Sequence, residues 1–148
     1  MKKTLLTLVL FAMVHLVKAQ AIGYYPFNSM LSIASNPNKV FWMDFRFQMN
    51  SYFSSLSTEI SPMINFRQKE RANFYVGGGL KANFLNTLNP DENKRNILEG
   101  YFLNVGMRAS PIEKLPKFQL IFELSPYSNT NFDLGVFRAN LGIAYILR

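Results

Sequence analysis

Cysteine is absent from the 148-residue chain, and histidine occurs once, at His15. Without cysteine there is no thiolate nucleophile and no sulfur ligand for a metal. The missing disulfides leave the compartment open, because exported proteins do not all need them. Long hydrophobic runs are also missing. The longest, Thr4 to Val17, is fourteen residues, short of the roughly 20 that a membrane-spanning helix requires. No stretch shows the 3.6-residue period of an amphipathic helix.

What is present begins with a short basic start, Met1-Lys2-Lys3, followed by that apolar run and by small residues at Ala19 and Ala21. The pattern is that of a secretory signal peptide cut after Ala19, or alternatively after Ala21. The expected organisation is a signal peptide over 1–19 and one domain over 20–148. His15 leaves with the signal, so the mature protein has neither histidine nor cysteine. Metal sites built on those residues, cysteine nucleophiles and Ser-His triads are thereby excluded. Once Lys2, Lys3 and Lys18 are removed, 13 bases face nine acids. That excess is mild and the bases are scattered singly, which argues against nucleic-acid binding.

The dominant signal is a two-residue period. In KVFWMDFRFQMN, residues 39–50, Phe41, Met43, Phe45, Phe47 and Met49 alternate with Trp42, Asp44, Arg46, Gln48 and Asn50. The alternation returns five times. Ile60, Pro62, Ile64 and Phe66 oppose Glu59, Ser61, Met63, Asn65 and Arg67. Phe74, Val76, Gly78, Leu80, Ala82 and Phe84 oppose Asn73, Tyr75, Gly77, Gly79, Lys81 and Asn83. Tyr101, Leu103, Val105 and Met107 oppose Phe102, Asn104, Gly106 and Arg108. Phe118, Leu120, Phe122 and Leu124 oppose Gln119, Ile121, Glu123 and Ser125. Finally, Phe137, Ala139, Leu141, Ile143, Tyr145 and Leu147 oppose Arg138, Asn140, Gly142, Ala144 and Ile146.

These six segments predict an all-β, antiparallel up-and-down barrel. Residues 22–38 supply either two short strands, for eight in total, or one segment lying in the lumen or at its mouth. Pro62 and Pro126, lacking the ladder donor, are expected at bulges or strand ends. The links 67–71 and 110–116 are compact, whereas 86–99 and 128–135 are longer and rich in Asn, Asp and Gly. Short turns on one side and longer loops on the other suit a transmembrane barrel, with the compact links periplasmic.

The apolar face carries no charge, while the other holds glycines, asparagines, serines and about one or two charges per strand. A water-exposed exterior would be expected to carry Lys, Glu and Thr densely. Gly77, Gly79, Gly106 and Gly142 suit a crowded interior, because a small barrel is filled by its own side chains. The polar face is therefore read as the lumen, with Asp44, Arg46, Glu59, Lys81, Arg108, Glu123 and Arg138 forming an ion-pair network. Strand order suggests Glu59 with Lys81 and Glu123 with Arg138 near the outer end, Asp44 and Arg108 lower, and Arg46 nearer the middle. Phe41, Met43, Phe45, Phe47, Leu103, Leu120, Leu141 and Ile143 are read as lipid-facing.

The signal peptide, the inverted alternation from Phe41 to Leu147 and the closing strand FRANLGIAYIL resemble the small outer-membrane β-barrel proteins of Gram-negative bacteria, of the eight-stranded OmpA and OmpX type. The resemblance covers most of the mature chain and rests on pattern, with no single specific motif. It implies a location in the cell outer membrane, contact with outer-membrane lipids and insertion by the barrel-assembly machinery. The chain departs from the family in ending Tyr145-Ile146-Leu147-Arg148, where an aromatic final residue is common.

Enzymatic chemistry is set aside, and no cofactor or metal is expected. Without histidine a lipid hydrolase or acyltransferase of the usual kind lacks its base. Asp44, Glu59, Glu99 and Glu123 are better read as structural partners of Arg and Lys than as a catalytic pair. The Gly77-Gly78-Gly79 run lacks the Lys-Ser/Thr of a phosphate loop. The expected function is a non-enzymatic outer-membrane barrel with a structural role or a surface interaction through loops 86–99 and 128–135, whose partner the sequence does not name. The alternative is a secreted or periplasmic lipocalin-like barrel binding an apolar ligand, and a porin-like channel comes third.

Overall fold

The computed structural model describes residues 21–49, 56–83 and 97–147. The expected signal peptide and most of loop 86–99 lie outside them. Eight strands form one closed antiparallel barrel in chain order: β1 Ala21–Tyr25, β2 Met30–Ala34, β3 Phe41–Met49, β4 Leu56–Gln68, β5 Ala72–Asn83, β6 Leu98–Ala109, β7 Phe118–Asn129 and β8 Gly135–Ile146. Each strand pairs with the next, and β1 closes on β8 through Ala21↔Ile146 to Tyr24↔Ile143. Residues 22–38 thus provide two strands, joined by a single 3-10 turn over Pro26–Asn28. Ser29 reverses the chain there in the left-handed region, at φ 48°.

The barrel has two distinguishable ends. Ala21, Ala34, Phe41, Gln68, Ala72, Ala109, Phe118 and Ile146 mark the end with the tight turns, called here the turn end. The opposite, loop end carries the links after β1, β3, β5 and β7. Loop length alternates less cleanly than the composition suggests. Because β7 runs on to Asn129 and β8 starts at Gly135, the link between them is only 130–134, shorter than the turn-end link 110–117. Asn129 braces it, its Oδ1 accepting from the backbone of Asp133 and Leu134.

The wall is uneven in height. β1 and β2 have five residues each, against 12 or 13 for β4 to β8. Above Ile143, β8 therefore pairs with β7 alone, leaving a notch at the loop end beside 135–142.

The two prolines behave differently from expectation. Pro62 and Pro126 lie inside β4 and β7, with neither a strand end nor a register shift at either. Each simply interrupts the ladder on one side. Pairing skips from Ile60↔Leu80 to Met63↔Gly77 and from Phe102↔Tyr127 to Val105↔Leu124, as the missing N–H requires. Ser61 Oγ partly compensates by donating to the Gly78 carbonyl at 3.2 Å. The bulges fall elsewhere, between Asn65 and Arg67 and between Lys81 and Ala82. The first places Arg67 opposite Phe74 on the outer face, so Arg67 leaves the inward set in which the strict period places it.

Side chains divide as a closed pleated sheet demands. Trp42, Asp44, Arg46, Glu59, Ser61, Met63, Asn65, Tyr75, Phe102, Asn104, Arg108, Glu123, Ser125 and Asn140 are buried inside the barrel. Ile64, Phe66, Val76, Leu103, Val105, Leu120, Phe122, Leu141 and Ile143 are exposed outside it. Apolar residues form the exterior, and the interior is mixed and polar.

Candidate functional site

The lumen is organised around one guanidinium. Arg46 on β3 makes two parallel hydrogen bonds to the Glu123 carboxylate on β7, each 2.7 Å, and its Nε donates to Asp44 Oδ2 at 2.8 Å. All three side chains are fully buried. Burial of such charges costs several kcal/mol apiece unless their remaining lone pairs and protons are used, and here they are. Ser32 Oγ donates to Asp44 Oδ1 at 2.6 Å, Tyr75 Oη to Glu123 Oε2 at 2.9 Å, and Asn140 Nδ2 to Glu123 Oε1 at 3.2 Å. Arg46 also lies over the Tyr25 ring, 5.2 Å from its centroid.

Glycines make room for this packing. A Cβ on Gly106 would stand 2.7 Å from Tyr75 Oη, and one on Gly142 would meet the Tyr25 ring at 2.8 Å. The smallness of these residues is a steric requirement of the lumen, since no glycine here adopts positive φ.

Towards the turn end, Trp42 donates from Nε1 to Asn65 Oδ1 at 3.2 Å, and Asn65 in turn donates to the carbonyls of Pro37 and Lys39. The Trp42 and Tyr75 rings meet edge-on at 5.4 Å. Arg108 stacks over the indole at 4.6 Å, with Nη2 3.9 Å from Asp44. Towards the loop end, Arg138 Nη1 binds Glu59 Oε1 at 2.7 Å, Arg138 Nη2 donates to Ser125 Oγ at 3.1 Å, and Lys81 approaches Glu99 at 3.4 Å. Arg138 and Lys81 both lie against the Tyr127 ring.

The structure therefore brings the seven charged residues singled out in the sequence onto the inner face and corrects two of their pairings. Glu123 binds Arg46, from the opposite wall, and not its strand neighbour Arg138. Glu59 and Lys81 are register partners, yet Glu59 binds Arg138 and Lys81 binds Glu99. The sequence reads Glu99 as a structural partner of Arg and Lys but leaves it out of the lumen network, because the bulge beside Ala82 breaks the two-residue count. Sequence reasoning also missed Tyr25, Ser32, Tyr75 and Asn140 as ligands of the central charges, although the inward parity of Tyr75 and Asn140 could have shown those two. No group of three or more potential metal ligands occurs among the described residues.

On the exterior, Phe41, Leu103, Leu120, Leu141 and Ile143 are exposed, and Met43, Phe45 and Phe47 are partly covered by neighbours on the same outer face. Aromatic residues gather near both rims. Phe41, Phe66, Phe74 and Tyr145 lie near the turn end, with Phe66 and Phe74 rings 6.4 Å apart. Tyr101, Phe132 and Phe137 lie near the loop end, where Tyr101 and Phe132 stack at 5.5 Å. Comparison with known proteins adds no relative: no family model, no curated protein and no solved structure matches the chain.

Proposed function

We propose that the chain is a non-enzymatic outer-membrane β-barrel protein, exported by its N-terminal segment, whose outer face meets lipid and whose loop end serves a structural or surface-interaction role. The observation that carries this reading is the inversion of the barrel's faces: aliphatic side chains between two aromatic rims outside, paired charges inside. A water-facing barrel gains nothing from exposing Leu103, Leu120, Leu141 and Ile143 while it desolvates Asp44, Arg46 and Glu123. A bilayer favours the same arrangement, since lipid accepts the apolar face and the closed ladder leaves few backbone groups unpaired.

β4 to β8, at 12 or 13 residues, exceed the roughly 9–11 that a tilted strand needs to cross the hydrocarbon. The five-residue β1 and β2 do not reach that length. The ion pairs that cross the lumen speak against a porin-like channel. A lipocalin-like carrier needs an apolar cavity where this lumen has Asp44, Arg46, Arg108 and Glu123.

Expressed with its N-terminal segment in a Gram-negative host, the mature chain should fractionate with outer membranes and stay there through a carbonate wash. Folded in detergent, it should migrate anomalously on unboiled gels. A detergent-free, monodisperse preparation that takes up a fluorescent fatty acid would overturn the proposal in favour of the carrier.

A further inference from the structure

One charge in the lumen is not provided for by the network around it. Arg108 is 1% exposed, and none of its Nε, Nη1 and Nη2 atoms has a hydrogen-bond partner within the protein. Its nearest carboxylate, on Asp44, is 3.9 Å away and already accepts from Ser32 and Arg46. The Trp42 face at 4.6 Å eases the charge but offers no acceptor. Buried guanidinium donors are almost always used, because leaving them unmet costs free energy.

Arg108 also lines an open cavity of about 260 Å³ at the turn end. The same cavity is bordered by Gln119, which is buried, and by Asn73, Lys69, Arg71 and Ser110. The three bases outnumber the single acid on its wall, Glu70. Arg71 pairs with Glu113 of the link 110–117 at the exposed rim. A basic, polar vestibule thus borders the residue that carries a buried fork of unpartnered N–H donors.

We infer that the turn-end vestibule is a binding site for a small carboxylate anion, anchored by Arg108. Two N–H groups of a guanidinium match the two oxygens of a carboxylate in one plane, and the indole beneath holds that plane in place. Asn73 and Gln119 make the neighbouring wall polar, and Lys69 at the rim adds attraction that salt weakens. A tetrahedral oxyanion can engage the same fork through two of its oxygens, but its remaining oxygens and second charge would have to be desolvated beside the Trp42 face, which a carboxylate avoids. The site requires only the lumen geometry, and it stands whether or not the outer face meets lipid.

The test uses the full mature barrel, folded in detergent with 15N-labelled arginine and tryptophan, titrated with sodium acetate against sodium chloride at constant ionic strength. The Arg108 Nε–H signal, assigned by its loss in Arg108→Lys, should shift saturably with acetate, and the Trp42 indole N–H signal should follow. Inorganic phosphate should act more weakly. Arg108→Lys should weaken the acetate effect on the Trp42 signal by about tenfold or more, the loss expected for a charged bidentate contact. Lys69→Ala, on the exposed turn, should weaken it a few-fold while leaving the fold intact. If Arg108→Lys does not fold, Lys69→Ala and the wild-type titration decide. Absence of a saturable shift in the wild-type barrel, or a Trp42 response unchanged in Arg108→Lys, overturns the site. A stronger response to phosphate overturns the carboxylate assignment.

Discussion

Arg46 and Glu123, separated by 77 positions in the chain, face each other from β3 and β7 and close the lumen with two 2.7 Å hydrogen bonds. No backbone ladder joins these strands, so the contact ties together opposite walls of the barrel. It makes the Glu123 carboxylate the point where four donor atoms converge, two from Arg46 and one each from Tyr75 and Asn140.

Glu123→Gln should therefore destabilise the folded barrel by about 3–5 kcal/mol, because it leaves Arg46 buried and half-paired. Adding Arg46→Met should recover part of that loss, since removing both ends of a buried pair is milder than removing one. Denaturant titration of refolded variants measures the cycle, and strictly additive losses would refute the coupling.

The corrected pairing at the loop end has its own signature. Glu59→Gln and Arg138→Met should be coupled, with a smaller energy than the central pair because the Arg138 side chain is 22% exposed. Glu123→Gln and Arg138→Met should be close to additive. A large Glu123–Arg138 coupling in the same assay would restore the pairing that strand adjacency suggests.

Crowding of the lumen can be separated from glycine's backbone freedom. Gly106→Ala puts a methyl 2.6 Å from the Phe122 carbonyl and 2.7 Å from Tyr75 Oη, and should cost roughly 1–3 kcal/mol. Gly78→Ala, on the outer face of the same sheet, meets only Leu103 Cδ2 at 3.1 Å and the Phe102 carbonyl at 3.4 Å. A leucine methyl can turn aside, so this change should be nearly neutral. Equal losses at the two sites would mean that steric fit in the lumen is not what selects glycine.

The lipid-facing assignment predicts a depth profile. Replacing Leu103 or Leu141 by Arg should cost about 2–4 kcal/mol in bilayers, and Phe45→Arg likewise, whereas Phe66→Arg near the turn end should cost about 0–1 kcal/mol. Folding titrations into vesicles read the difference. A flat profile would be incompatible with a bilayer around the barrel.

Much of this architecture is present in the order of residues. From Phe41 to Leu147 a side chain's position, odd or even within an unbulged stretch of strand, decides whether it points in or out, because the pleat has a period of two. Asp44, Arg46 and Glu123 are assigned to one face by that rule alone. The rule fails at Arg67 and Glu99, where single-residue bulges shift the count, and local sequence does not announce a bulge. Which charge binds which was decided by tertiary structure. Strand neighbours such as Glu59 and Lys81 follow from chain order, but the partner of Arg46 depends on how far the closed sheet is staggered and on which long side chains reach across its axis. The same closure leaves Arg108 against Trp42 without an acceptor of its own, since a pairing across a lumen exists only after all eight strands have met.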